Sequence, residues 1–211
     1  MTEEEWLRGN NLAAMMALLQ REKTSERKRR LFACGCWHDS WSSLTSEVRQ
    51  VLRRFELEGD GIVVQDSPAA SSPQGELRVR SYSDVGLVGL GLCLLSQFNL
   101  MGRAPDLDRS EHLVRNGRYV PDGRICSALR EVFGNPFRPA AVDPSWLTWN
   151  DGTVPKIAHA IYDDRDFDRM PVLADALEDA GCDNADILNH CRGPNVHVRG
   201  CWVVDLLLGK G

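Results

Sequence analysis

The sequence lacks an apolar run that is long enough to cross a membrane. Its longest such run, residues 85–95, has 11 residues, whereas a membrane-spanning helix needs roughly 20. The acidic residues 3–5 also differ from the basic and apolar segments of a secretory signal peptide. We therefore expect a cytoplasmic protein without a membrane partner.

Common enzyme motifs are lacking as well. The sequence contains no G-x-x-x-x-G-K-[ST], G-x-G-x-x-G, H-E-x-x-H or G-x-S-x-G pattern, which are signatures of nucleotide-binding loops, zinc proteases and serine hydrolases. A catalytic Cys–His pair would require Cys93 or Cys126 to meet His112 or His159 in the fold, and no spacing brings them together. We therefore expect a non-catalytic protein, with a hydrolytic or redox enzyme as the third-ranked alternative.

What is present is the composition of an ordinary globular domain. The chain has 211 residues, of which 43% are hydrophobic and 26% are charged, and its formal net charge is −5. This size suits one domain. Seven cysteines without an export signal indicate a reducing compartment, in which thiols stay free or bind metal.

Apolar residues recur at helical spacing towards both ends of the chain, so the predicted fold class is mainly α. Thr2 and Glu5 have the spacing of a capping box, Thr24 or Ser25 is expected to cap a later helix, and Gly181 to end one. Further helices are predicted from four apolar stripes: Leu12, Met15, Met16 and Leu19; Ile125, Leu129 and Val132; Ile157, Ala160 and Ile161; and Val172, Leu173, Ala176, Leu177 and Ala180.

The predicted organisation is one continuous domain in three parts. Residues 1–58 form an N-terminal helical unit, residues 59–83 a flexible loop flanked by a short hairpin, and residues 84–211 a helical core unit whose first part is loop-rich. The apolar run of residues 85–95 is interpreted as a central buried helix, with a buried strand as the alternative.

Four sequence blocks carry a family resemblance: residues 30–34 (RLFAC), 133–139 (FGNPFRP), 173–182 (LADALEDAGC) and 197–205 (HVRGCWVVD). In these blocks the chain resembles a large family of modular bacterial proteins for which no activity is established. The similarity covers residues 1–58 and 123–211 and is weak in residues 59–122. Gly35, Trp37 and His38 stand where small or basic residues are usual in the family. The resemblance implies a cytoplasmic helical fold and an adaptor-like role.

A zinc site is predicted from four cysteine and histidine residues near the end of the sequence. Zinc takes four thiolate or imidazole ligands in a tetrahedron, and Gly193, Pro194 and Gly200 allow the chain to turn around an ion. The predicted ligands follow the spacing C-x8-C-x5-H-x3-C and are Cys182, Cys191, His197 and Cys201, with His190 as a spare. The alternative is that these cysteines pack in the core, since free cysteine is among the most buried residues.

Two weaker patterns favour structural interpretations. Cys34, Cys36 and His38 alternate on a predicted helix, where residues two apart point in nearly opposite directions, so core packing is preferred over a metal site. The acidic residues 163–168 lack the glycine and the glutamate of a calcium-binding loop, so a solvated turn is preferred.

The first functional hypothesis is a non-catalytic protein-interaction or adaptor module. Its interface would include Trp146 and Trp149, because aromatic side chains on loops are common anchors at protein interfaces. The alternative for these two residues is that their loop packs onto the core.

The second hypothesis is a zinc-stabilised protein that associates with nucleic acid. Arg27, Lys28, Arg29 and Arg30 form a basic run that would neutralise phosphates. The alternative for this run is a solvated helix whose charges pair along its length, as Glu26 and Arg30 would do.

Overall fold

The structure, a computed structural model, describes residues 1–22, 24–43, 46–62 and 122–211. In these ranges the chain is helical and contains no strand, which confirms the predicted mainly α fold class. The predicted hairpin and the apolar run of residues 85–95 lie outside the described residues. No helix in the described ranges has both the length and the apolar character needed to cross a membrane.

The described residues include ten α-helices and three short 3-10 helices. The α-helices are α1 (Glu3–Arg8), α2 (Leu12–Arg21), α3 (Glu26–Gly35), α4 (Ser46–Gly59), α5 (Asp122–Phe133), α6 (Pro144–Thr148), α7 (Thr153–Asp164), α8 (Met170–Asp179), α9 (Ala185–Arg192) and α10 (Trp202–Leu207). The 3-10 helices are His38–Ser43, Trp149–Asp151 and Phe167–Arg169.

Local signals in the sequence explain where several helices begin and end. The capping box at α1 is confirmed: the Glu5 amide donates to Thr2 Oγ1 at 3.2 Å, and the Thr2 amide donates to Glu5 Oε2 at 2.7 Å. Ser25 rather than Thr24 caps α3, since its hydroxyl accepts a hydrogen bond from the Lys28 amide. Gly181 has φ +91°, a left-handed conformation that ends α8 at little steric cost.

Backbone contacts divide the chain into two units, residues 1–18 with 126–211 and residues 19–125. The boundaries expected at residues 58 and 83 stay predictions, because most of residues 59–121 lies outside the described ranges.

In the first unit, α8 packs against both α7 and α9, and α10 packs against α7. Its core is formed by buried faces of these helices, including Val154, Ala158, Ile161, Leu173, Leu177 and Ile187. Val172, which was assigned to the same stripe as Leu173, is instead half exposed.

Helix α1 belongs to the first unit because of one buried side chain and one arginine. Trp6 is fully buried, and its Nε1 donates to the Gly134 carbonyl at 2.9 Å. Arg130 Nε donates to the Trp6 carbonyl at 2.6 Å, and a second nitrogen of the same guanidinium donates to the Gly9 carbonyl. These bonds tie α1 to the end of α5.

In the second unit, α3 packs against α4. The inward side of α3 carries Leu31, Phe32 and Cys34, all buried, and the Cys34 thiol lies 3.7 Å from the Leu52 carbonyl. This is the core-packing role that the sequence favours for Cys34.

Candidate metal centre

Four side chains of the first unit converge on one buried point. Glu131, His190, His197 and Cys201 each offer one ligand atom, and these four atoms all lie within 4.8 Å of one another. A carboxylate, two imidazoles and a thiol this close together could hold a metal ion.

Three segments of the chain supply these residues. Glu131 lies near the end of α5, and His190 lies in the last turn of α9. Helix α9 begins at an effective cap, since the Asn184 side chain accepts from the amides of residues 186 and 187. The chain then leaves the helix, and Gly200, with φ +96°, makes the turn that places Cys201 just before α10.

The Glu131 carboxylate is the common neighbour of both histidines. Its Oε1 lies 3.1 Å from His197 Nδ1 and accepts from the Val198 amide at 3.4 Å. Its Oε2 lies 3.4 Å from His190 Nε2, and the same nitrogen lies 3.2 Å from Cys201 Sγ. Zinc bonds of about 2.0–2.3 Å place tetrahedral ligand atoms about 3.3–3.8 Å apart, and the three separations between the potential ligand atoms lie close to that range.

Three members of the centre are buried, and His190 is partly buried. Cys201 is 0% exposed, Glu131 4% and His197 7%. Among the described residues, His197 Nε2 is a buried nitrogen without a hydrogen-bond partner. An unsatisfied buried polar atom costs about 1–3 kcal/mol, and the ring nitrogen of His197 that faces Glu131 is the other one, Nδ1.

Burial determines the protonation of the histidine and of the thiol. It lowers the pKa of His190 to about 4, although the Glu131 carboxylate opposes the shift. Burial, with the nearby Glu131 charge, raises the pKa of Cys201 well above its ordinary value. At neutral pH the His190 imidazole is therefore neutral, the form that binds metal, while the thiol must lose a proton to become a ligand.

The chemistry of the four donors can be compared with the preferences of common metal ions. One carboxylate and one thiolate carry two negative charges, which balance a divalent cation, and two neutral imidazoles add donors without adding charge. Thiolate and imidazole suit zinc or copper and do not suit calcium or magnesium, which take oxygen ligands. Four potential protein ligands at a largely buried place are more typical of structural than of catalytic metal sites.

The same geometry argues against a nucleophilic cysteine. In a catalytic relay, one nitrogen of the histidine faces the nucleophile and the other faces the orienting carboxylate. Here His190 uses Nε2 towards both Cys201 and Glu131. The raised thiol pKa and complete burial of Cys201 further disfavour a reactive thiolate.

The structure unites two of the four predicted ligands, His197 and Cys201, with the spare candidate His190. Cys182 and Cys191 are buried in the core and lie outside the converging group. Burial raises the pKa of Cys191 to about 12. Residues 190 and 191 point about 100° apart on a helix, so Cys191 follows the buried face of α9 while His190 turns towards the centre.

Glu131 is the ligand candidate that the sequence did not indicate. It is separated from His190 by 59 residues, so no local spacing connects the two. The one indication in the sequence is the position of Glu131 beside Val132 and two residues after Leu129. A carboxylate at this place lies at the margin of the buried stripe of α5.

The two predicted interface tryptophans lie against the core of the first unit. Trp146 is 7% exposed and belongs to the core, and Trp149 is partly buried against it. These positions agree with the alternative that the loop packs onto the core. The interface hypothesis requires an exposed Trp146, and Trp146 is buried. Trp146 is the single buried residue of α6, a short helix whose N-terminus is capped by the Asp143 side chain.

The basic run lies in the second unit, on α3. Arg27 Nε forms an ion pair with Asp60 at 2.8 Å, and Arg30 pairs with Glu26 at 2.6 Å and with Glu58 at 3.6 Å. Arg27, Lys28, Arg29 and Arg30 are all partly buried. Acidic residues of the same unit therefore already neutralise part of the charge that a phosphate backbone would require.

No protein-family model, no curated protein and no solved structure matches the chain. The family resemblance drawn from the four sequence blocks stays a prediction, and the candidate metal centre is argued from its own geometry.

Proposed function

We propose that the protein is a non-catalytic interaction module whose first unit is held together by a structural zinc ion. The proposed ligands are Glu131, His190, His197 and Cys201. One observation carries the zinc part of the proposal: four potential ligand atoms from three separate segments lie within 4.8 Å of one another in a largely buried place. The interaction role rests on the resemblance of the four sequence blocks.

The position of the centre supports a structural role. Between α9 and α10, residues 193–200 contain no α-helix, and one bond that holds them is from the Val198 amide to the Glu131 carboxylate. An ion at the centre would connect this segment to both α5 and α9. Structural zinc ions stabilise short irregular segments in this way, because metal binding contributes directly to the free energy of folding.

Metal content in a matched set of variants tests the proposal. We expect about one zinc per wild-type chain after purification without chelator, much less in His190→Ala, and a wild-type content in Cys182→Ala, whose thiol is buried outside the group. Zinc content that falls in Cys182→Ala and not in His190→Ala would favour the ligand set expected from spacing. If the wild-type protein contained copper instead of zinc, the ligand set would stand and the proposed metal would change.

A protein partner and a cytoplasmic, reducing location remain part of the proposal. The thiol that would bind zinc must stay reduced, and the described cysteines form no disulfide with one another. We expect a partner to co-purify with the zinc-loaded protein and not with His190→Ala. Capture of nucleic acid at low salt, lost on charge reversal of Arg29 and Arg30, would support the alternative function instead.

A further inference from the structure

Helix α1 is attached to the residues that frame the candidate metal centre. Arg130 adjoins Glu131 in sequence and donates hydrogen bonds to the carbonyls of Trp6 and Gly9. Three residues beyond Glu131, the Gly134 carbonyl accepts the bond from Trp6 Nε1 at 2.9 Å. The end of α5 therefore carries a proposed ligand and also holds α1.

Trp202 makes a second connection between the centre and α1. It directly follows Cys201, and its ring centroid lies 5.1 Å from that of His190. It is also packed against Gly134, where an added Cβ would lie only 3.0 Å from Trp202 Cγ. Since Gly134 has φ +66° and no side chain, the indole lies directly on the backbone that binds Trp6.

We propose that metal binding at this centre controls the docking of α1 on the first unit. The inference rests on the proposed function, because it requires an ion at Glu131, His190, His197 and Cys201. An ion that fixes Glu131 and Cys201 also fixes Arg130 and Trp202, and through them the surface that holds Trp6. Without the ion, Glu131 is held only by its contacts with the two histidines and the Val198 amide, and we expect the end of α5 to loosen.

Helix α1 is the element expected to respond first. It has six residues, and an isolated helix of that length is unstable in water. Its remaining side-chain ties to the unit run from Glu3 to Asn135 at 2.7 Å and to Arg138 at 2.5 Å, next to the same Gly134 turn. By contrast, α7 and α8 bury continuous apolar faces that need no ion.

Hydrogen exchange of the full chain with zinc bound and after chelation tests this inference. We expect chelation to accelerate amide exchange in residues 3–9 by about tenfold or more, with little change in α7 and α8. Unchanged exchange in residues 3–9 after proven loss of zinc would overturn the inference while leaving the proposed function intact. Equal acceleration in α7 and α8 would also overturn it, since α1 would then not respond selectively.

Thermodynamic reciprocity provides an independent test. If zinc favours docking of α1, docking of α1 must increase zinc affinity by the same factor. Arg130→Gln shortens the side chain and removes the guanidinium that donates to both Trp6 and Gly9, so it should weaken zinc binding by about tenfold, measured by competition with a chelator. The matched control is Arg8→Gln, which loses only an exposed pair with Glu4 and should bind zinc as the wild type does.

The two failures are distinguishable. Absence of zinc binding by the wild-type protein would remove the proposed function and this inference together. Equal zinc affinity in Arg130→Gln and Arg8→Gln, with zinc still bound at the centre, would refute the inference alone.

Discussion

Replacing Cys201 by alanine should destabilise the protein much more when zinc is present than when it is absent. Loss of one buried sulfur removes packing worth about 1 kcal/mol, by analogy with a buried methylene and its small cavity. Zinc binding adds a second contribution: at a free zinc concentration about 1,000 times the dissociation constant, the folded protein gains about 4 kcal/mol. We therefore expect Cys201→Ala to cost about 5 kcal/mol in saturating zinc and about 1 kcal/mol in chelator.

Cys182→Ala is the matched control for this experiment. Cys182 and Cys201 are both thiols of the same core, 3% and 0% exposed, and only Cys201 belongs to the converging group. We expect Cys182→Ala to cost about 1 kcal/mol with or without zinc. Urea denaturation followed by tryptophan fluorescence measures all four combinations of variant and condition. Equal costs for the two variants in zinc would refute the reasoning.

Three further predictions concern protons and the attachment of α1. Because Cys201 must release the proton that its raised pKa retains, zinc affinity should rise about tenfold per pH unit, and a flat affinity between about pH 6 and 8 in indicator competition would contradict this. In metal-free protein, the pKa of His190 falls from 6.5 to about 4 on folding. Within that pH range the unfolded chain therefore takes up a proton that the folded chain does not. The free energy of unfolding should consequently decrease, by up to about 3 kcal/mol, as the pH is lowered. Denaturant unfolding at a series of pH values should show a smaller loss of stability at low pH in His190→Asn. An unchanged loss would mean that other groups cause it. Trp6→Phe leaves the Gly134 carbonyl without its donor and should cost about 1–3 kcal/mol in chemical denaturation, whereas a cost near zero would mean that this hydrogen bond does not hold α1.

Much of the helical fold could be predicted because its causes are local. The capping box of Thr2 and Glu5, the cap at Ser25 and the left-handed Gly181 each act within a few residues. The stripe of Ile125, Leu129 and Val132 predicted α5, since helical spacing alone decides which side is buried. Attachment of α1 to Gly134 could not be predicted in this way, because a hydrogen bond across 128 residues has no local signal.

The candidate metal centre was predicted only in part for the same reason. Spacing identified His197 and Cys201, which lie near each other in sequence, and offered His190 as a spare. The spacing favoured Cys191 over His190 because it carries no information about how α9 is oriented. In the fold, that orientation directs residue 191 into the core. Glu131 comes from a different helix, and only the packing of α5 beside the segment before α10 brings it to the group.

The most direct test of the account is the zinc content of wild-type protein beside Glu131→Gln. The glutamine keeps the shape of the side chain and removes the charge that the geometry places between both histidines. We expect about one zinc per chain in the wild type by elemental mass spectrometry and a content several-fold lower in the variant. Zinc-free wild-type protein that also fails to take up added zinc would contradict the account, and so would a Glu131→Gln variant that binds zinc as tightly as the wild type.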